Sequence, residues 1–293
     1  MSRCFLCSRR WSTKPLSSEA PVALVKGAGD LATGVALSLH RAGFAVVMTE
    51  IPQPLAIRLT VAFAQAIYQG RHVVEGVRAD RTDGQGWRSV VETGRIAVLV
   101  DPEAEILARA LPLVVVDAIM AKRNTGTRRG ADTIVIGLGP GFTAGADVDA
   151  VIETQRGHEL GRIIREGSAR MDSGIPGEIG GRGSERVLRA PADGVVVTLK
   201  QIGALVKEGE PVARVGDRTV TAPFDGCLRG LMHNGLAVRH GIKIGDVDPR
   251  GQAQYAGTVS DKARALGRAA LEAVLEIGRE RGLIFLAAGA RRP

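Results

Sequence analysis

The chain has 293 residues, 45% of them hydrophobic and 24% charged, with no apolar run long enough to span a bilayer. It is read as a globular protein of one large or two ordinary domains, which excludes a membrane-spanning or wholly disordered chain. The net charge is +8 but aromatic residues are only 3%, a balance that disfavours a base-stacking nucleic-acid binder and suits an anionic small molecule.

Residues 1–20 are basic and Ser-rich and lack the apolar core of a secretory signal, so they are read as a disordered tail. Cys4 and Cys7 form one CxxC without a second pair, and no metal site is expected from them. With Cys227 the chain has three cysteines, no disulfide framework and hence a cytoplasmic expectation.

Residues 21–172 are expected to form a first domain. PVALVK (Pro21 to Lys26) reads as a strand and runs into Gly27-Ala28-Gly29-Asp30-Leu31-Ala32-Thr33-Gly34. A helix with Leu31, Val35, Ala36 and Leu39 on one face follows, and then the strand FAVVMT, ending at Glu50. Strand, Gly-x-Gly-x-x-Ala, helix and strand form a dinucleotide-binding pattern. Gly27 permits the tight turn, Gly29 lets a diphosphate approach, and Glu50 stands where a carboxylate reaches a ribose hydroxyl. Asp30 would repel a diphosphate there, and helix capping is its alternative role.

Beyond Pro52 and Pro54 a helix is expected through about Tyr68, with Leu55, Leu59, Ala62, Phe63, Ala66 and Ile67 buried. Arg71 to Arg88 reads as a hairpin excursion broken at Asp83-Gly84. Strands follow at Ile96 to Val100, Val114 to Val116, Thr133 to Ile136 and Val148 to Ile152, with a helix over 102–110 opened by Asp101. Alternating strands and helices predict a Rossmann-like, doubly wound parallel sheet.

Three loops leave the carboxyl ends of these strands. They carry Lys122 and Arg123, then Gly137, Gly139 and Gly141, then Arg156 and His158, followed by a helix expected to hold Arg162 and Arg165. In an open parallel sheet such loops share one side, where ligands bind. The cations among them are candidates for phosphates or a carboxylate, and solvated loop charges are the alternative. No Ser-His-Asp arrangement, paired-carboxylate motif, HExxH or Walker A pattern is present, so anion binding is expected and catalysis is left open.

Residues 173–186 are a glycine-rich linker, and 187–250 contain an internal repeat. Ala190-Pro191-Ala192-Asp193-Gly194 recurs 32 residues later as Ala222-Pro223-Phe224-Asp225-Gly226, and Gly203/Gly235, Val206/Val238, Gly209/Gly241 and Val215/Val247 keep that register. The phrases resemble the lipoyl/biotinyl domain, a β-sandwich of two quasi-equivalent halves. In carrier members the central hairpin presents a modified lysine, but here it reads Val215-Gly216-Asp217-Arg218-Thr219. No covalent biotin or lipoate is therefore expected. Residues 251–293 supply a long helix from Ser260-Asp261 to about Glu280, to pack on the first domain or at a homodimer contact, and a frayed tail.

The segments VKGAGDLATG (Val25 to Gly34), TEIPQP (Thr49 to Pro54), AKRN (Ala121 to Asn124), GLGPGFT (Gly137 to Thr143) and ETQRGH (Glu153 to His158) resemble the YqeB-type accessory proteins of selenium-dependent molybdenum hydroxylases. The first domain is similar to the cofactor-binding half of the XdhC accessory proteins. The resemblance implies maturation of a molybdenum hydroxylase, with a molybdopterin dinucleotide as ligand and the apoenzyme and other maturation proteins as partners. It assigns no catalytic residues. An NAD(P)-dependent oxidoreductase and a non-catalytic docking adaptor are the alternatives.

Overall fold

The computed structural model describes residues 20–172, 174 and 176–284. The basic tail, its CxxC and the last residues of the chain lie outside the described residues.

The first part is a mixed α/β structure on a nine-stranded sheet. In chain order its elements are β1 (Val22–Lys26), α1 (Asp30–Arg41), β2 (Ala45–Glu50), α2 (Gln65–Gln69), β3 (Arg71–Val74), β4 (Val77–Thr82), α3 (Trp87–Glu92) and β5 (Ile96–Val100). These are followed by α4 (Leu107–Ala110), β6 (Val114–Asp117), β7 (Ile134–Leu138), β8 (Ala150–Ile152) and β9 (Ile163–Ile164). The strand order is β3-β4-β5-β2-β1-β6-β7-β8-β9, parallel except for β3 and β9 at the two edges. The chain starts in the middle with β1 and β2, runs out to the edge hairpin β3-β4, comes back in at β5, then crosses to the other side of β1 at β6. The order reverses between β1 and β6, the position where open parallel sheets form a crevice at their carboxyl ends.

The strands are nearly continuous apolar runs because both faces are covered. Ala23 and Val25 of β1 join one core with α1 and the C-terminal helix, while Leu24 joins the opposite core with Trp87 and Val91 of α3. The C-terminal helix α5 (Asp261–Glu280) is capped by Ser260, whose Oγ accepts the Ala263 amide at 3.1 Å. It returns to the first sheet and crosses α1 at Gly34 and Gly267. A Cβ on Gly34 would lie 2.7 Å from the Ala263 carbonyl carbon, and one on Gly267 would lie 2.8 Å from the Gly34 carbonyl carbon. Only paired glycines allow this approach.

The second part has eight strands: β10 (Val187–Arg189), β11 (Gly194–Thr198), β12 (Leu205–Val206), β13 (Pro211–Val215), β14 (Arg218–Thr221), β15 (Gly226–Leu231), β16 (Ala237–Val238) and β17 (Lys243–Asp248). They form two four-stranded sheets, β10-β17-β15-β12 and β14-β13-β11-β16, around a third core. Shifting the first repeat by its 32-residue offset carries β10 to β14, β11 to β15, β12 to β16 and β13 to β17. The same shift exchanges the two sheets, and each sheet takes two strands from each repeat.

Several expectations need correction. The helix expected from Pro54 to Tyr68 is a 3-10 turn (Leu59–Val61) followed by the short α2, with Ala62 extended between them. Backbone amides that a helix would use internally bond elsewhere: Phe63 donates to Thr33 Oγ1 at 2.8 Å and Ala64 to the Ala28 carbonyl at 2.8 Å. Leu55 is 55% exposed rather than buried. The hairpin turns at Glu75-Gly76, and Asp83 instead accepts the Gln85 and Gly86 amides before α3. The helix over 102–110 contracts to α4, because Asp101 binds the Glu105 and Ile106 amides and holds the preceding turns. Arg162 and Arg165 flank the edge strand β9 rather than lie on a helix.

Candidate functional site

The turn after β1 is fixed by its own polar groups. Gly27, at φ +88°, donates its amide to the Thr49 carbonyl at 2.8 Å, and a Cβ there would lie 3.1 Å from the Ala118 carbonyl. Glu50 accepts the Ala28 amide at 2.9 Å and the Ile51 amide at 2.8 Å. Burial raises the Glu50 carboxyl above its ordinary range, against the opposing effect of those two bonds. Gly29 is the N-cap of α1, with open space where a Cβ would stand. Asp30 is therefore not the cap. It lies in the first turn of α1 with Arg58 Nη1 3.5 Å from its carboxylate.

Beneath the switch point a buried ion pair ties β1 to β6. Lys26 Nζ lies 3.2 Å from Asp117 and donates to Thr127 Oγ1 at 2.7 Å, and Thr127 Oγ1 donates to Asp117 at 2.5 Å. Asn124 then accepts the Gly126 and Thr127 amides and donates to the Thr127 carbonyl, closing the loop. Met120 and Lys122 in that loop hold φ of +63° and +61°, a conformation that carries strain in residues with a side chain.

Two adjoining cavities open over these carboxyl ends. One, of about 490 Å³, is lined by Gly27, Gly29, Asp30, Glu50, Ile51, Ala118 and Ile119 among others. The other, of about 600 Å³, lies between the first sheet and the β-rich part. Asp30, Leu31, Leu55 and Met120 line both. Each has a size typical of a small-molecule site. Their electrostatics differ: the glycine-turn lobe has two carboxylates and no cationic side chain, while the second lobe has eight cations against three carboxylates.

The residues expected at the site divide accordingly. Gly27, Gly29, Asp30 and Glu50 meet in the glycine-turn lobe, and Lys122 and Arg156 line the cationic one. Lys122 is paired with Asp172 at 2.5 Å, and Arg156 holds Asp261 through bonds of 2.7 and 2.9 Å. That pairing depresses the Asp261 carboxyl well below its usual range. His158 is exposed beside a separate small hollow that it shares with Glu153 and Arg170. Arg123 is exposed, and its backbone packs on Gly141. Gly137 faces the Phe142 ring and Gly139 faces Thr154, so this glycine run makes room for protein atoms; Gly34 lies at the α5 crossing.

Sequence reasoning missed most of the cationic lobe: Arg58, Arg170, Arg186, Arg229, Lys243 and Lys262. A signal was available in the repeat. The second copy carries Arg229, Lys243 and Asp246 where the first has Val197, Pro211 and Arg214. A symmetric core needs none of those charges. The β-rich part is fixed against the first sheet by the Leu231 amide on the Ile57 carbonyl at 2.8 Å and by Tyr68 stacked on His233 at 3.7 Å. Among the described residues no helix is long and apolar enough to cross a membrane, and no cluster of three or more His, Cys, Asp or Glu side chains is arranged as metal ligands.

No protein-family model matches the chain. Two solved structures overlap it at 13% identity, each covering 78% of this chain and 85% of its own: an aspartoacylase family protein from Mesorhizobium loti (TM-score 0.26) and the ectoine utilization protein EutE (DoeB) from Ruegeria pomeroyi (TM-score 0.24). At those scores the overlap carries no argument. The uncharacterized protein YqeB of Escherichia coli (strain K12) is 50% identical over 253 residues, which are 86% of this chain and 47% of that protein. The chain is therefore of the YqeB type, and it spans about half the length of the curated relative it matches.

Proposed function

We propose that this chain is an accessory protein that binds a molybdopterin dinucleotide in the crevice between its two parts and serves the maturation of a selenium-dependent molybdenum hydroxylase. In this reading the six strands β5-β2-β1-β6-β7-β8 are a Rossmann-like unit. The two-sheet repeat is a lipoyl-like module without a carrier lysine, used to wall a ligand site. The proposed partners are the hydroxylase apoenzyme and other cofactor-maturation proteins.

The observation that carries the reading is the pair of joined cavities of opposite character. A dinucleotide of this kind has an uncharged aromatic end and a multiply charged phosphate region, and the crevice offers an apolar, carboxylate-bearing lobe beside a cationic one. The residues also fit the group, because Arg58 and Arg229 are buried with guanidinium nitrogens that have no hydrogen-bond partner. What the chain supplies is binding and shelter from water. Arg and Lys side chains orient oxyanions, and Glu50 holds the turn that walls the other end.

An NAD(P)-dependent oxidoreductase is the second reading, favoured by the position of Glu50 beside the Gly27–Gly29 turn. The two separate in one experiment. Protein purified without oxygen is denatured, the extract is oxidised, and the fluorescence of the released pterin is read; the same preparation is titrated with NAD. Pterin with no NAD response is the expected outcome. Tight NAD binding with hydride transfer would overturn the proposal.

A further inference from the structure

A diphosphate laid over the glycine turn meets unfavourable chemistry. The Gly27 and Ala28 amides already bond to Thr49 and Glu50, and the carboxylates of Asp30 and Glu50 are the only charged side chains lining that lobe. The N-terminal potential of α1 is thus offset by two negative charges at close range.

The cationic lobe presents the opposite situation. Arg58 is 5% exposed; its Nη2 donates to the Tyr255 and Thr258 carbonyls at 3.0 and 3.1 Å, while its Nε and Nη1 make no hydrogen bond and Nη1 only approaches the Asp30 carboxylate at 3.5 Å. Arg229 is 7% exposed; its Nη1 lies 3.5 Å from Asp246 and its Nε 3.7 Å from Asp248, and that buried Nε makes no hydrogen bond. Arg186 bonds Asp246 through Nη1 and the Gly177 carbonyl through Nη2, and its Nε is also unpartnered. Lys243 and Lys262 complete the wall, and burial depresses the ammonium of each. Burying guanidinium groups with bonds unmade is costly unless an anion completes them. Arg58 precedes the 3-10 turn after β2, Arg186, Arg229 and Lys243 belong to the β-rich part and the turn that opens it, and Lys262 is on α5, so the site exists only when all three regions are assembled.

We infer that the phosphate-class anion of the ligand binds in this lobe, against Arg58, Arg229, Lys243 and Lys262, and not over the glycine turn. The inference rests on the dinucleotide reading only for the identity of the whole molecule. The oxyanion subsite is tested without it.

The test is calorimetric titration of the full chain with inorganic pyrophosphate at fixed ionic strength, using Lys243→Gln, Lys262→Gln and Gly29→Val. Both lysines are half-buried and make no ion pair among the described residues, and a side chain at Gly29 enters open space, so all three variants are expected to fold. Expected is binding by the parent chain, about tenfold weaker in each lysine variant, the equivalent of one charge-assisted bond, and unchanged in Gly29→Val. Two outcomes overturn the inference: no binding by the parent chain, or binding lost in Gly29→Val and kept in the lysine variants. A positive result alongside a purified protein free of pterin would leave the subsite standing and remove the cofactor assignment, so the two fail separately.

Discussion

Glu50 at the end of β2 accepts the backbone amide of Ala28 at 2.9 Å, so the carboxylate that a dinucleotide pattern reserves for a ribose also braces the glycine turn. Its burial has a consequence for pH. The carboxyl is raised in the folded chain, so its contribution to stability is fully present below the ordinary glutamate range and is lost as pH rises through the folded value. Glu50→Gln is expected to be at least as stable as the parent at neutral pH, with the difference vanishing toward pH ~4 as both side chains become neutral. Glu50→Ala leaves the Ala28 amide without its acceptor and is expected to cost about 1–3 kcal/mol. Urea midpoints of the three proteins at neutral and acid pH check both statements.

The glycines of the first motif divide by role. Gly34→Ala forces a methyl group into the Ala263 carbonyl of α5 and is expected to cost about 1–3 kcal/mol by overpacking. Gly29→Ala enters open space at an extended backbone position and is expected to change stability by less than about 1 kcal/mol. Thermal unfolding of the two variants side by side distinguishes a packing glycine from a cap glycine.

The Arg156–Asp261 pair should be visible in the acid limb of unfolding. Asp261 is depressed by its bonds to Arg156, so the stability it adds is present above the ordinary aspartate range and is lost as pH falls below it. Its carboxylate is largely exposed, so screening keeps the effect small. Asp261→Asn is expected to cost at most about 1 kcal/mol at neutral pH and low salt, and to flatten the dependence of stability on pH below about 4. Chemical denaturation across that range, with and without added salt, measures it.

Tyr68 donates its hydroxyl to the Pro54 carbonyl at 2.7 Å, and burial, with Glu50 nearby, raises its ionisation to about 12. The stability linked to that proton is present below the ordinary tyrosine value and is lost as pH rises toward 12. Tyr68 and Tyr255 are the only tyrosines in the chain. In a Tyr255→Phe background, tyrosinate absorbance is expected to appear only in strong alkali. Tyr68→Ala removes the stack on His233 and is expected to speed hydrogen exchange in 187–248, whereas Tyr68→Phe should preserve it.

The parts of the fold that were legible were those built on local periodicity. The strands Val22–Lys26, Ile96–Val100 and Val114–Asp117 and the helix from Asp261 stand close to where apolar pattern and capping put them. The segment from Pro54 to Tyr68 was not, because its helical-looking stripe is held by Thr33 and Ala28, residues that local pattern does not bring near. The site was half legible for the same reason. The Gly27–Gly29 turn announces itself in sequence, but Arg58, Arg229 and Lys262 come from three distant stretches and converge only through packing. Of the four loop cations that stood out, Lys122 and Arg156 line the cationic cavity, whereas Arg123 and His158 are exposed and line neither large cavity.

The exchange of strands between the two small sheets bears on how this part of the chain can come into being. Neither repeat owns a sheet: a single copy would contribute two strands to each layer and leave both layers half built, with its share of the core exposed. An isolated unit of this kind closes its core only by embracing a second identical unit about a two-fold axis. Joining two such units in tandem turns an encounter between molecules into the closure of one short loop. It also frees the copies to diverge, so that one can keep the framework while the other takes on charges such as Arg229 and Asp246.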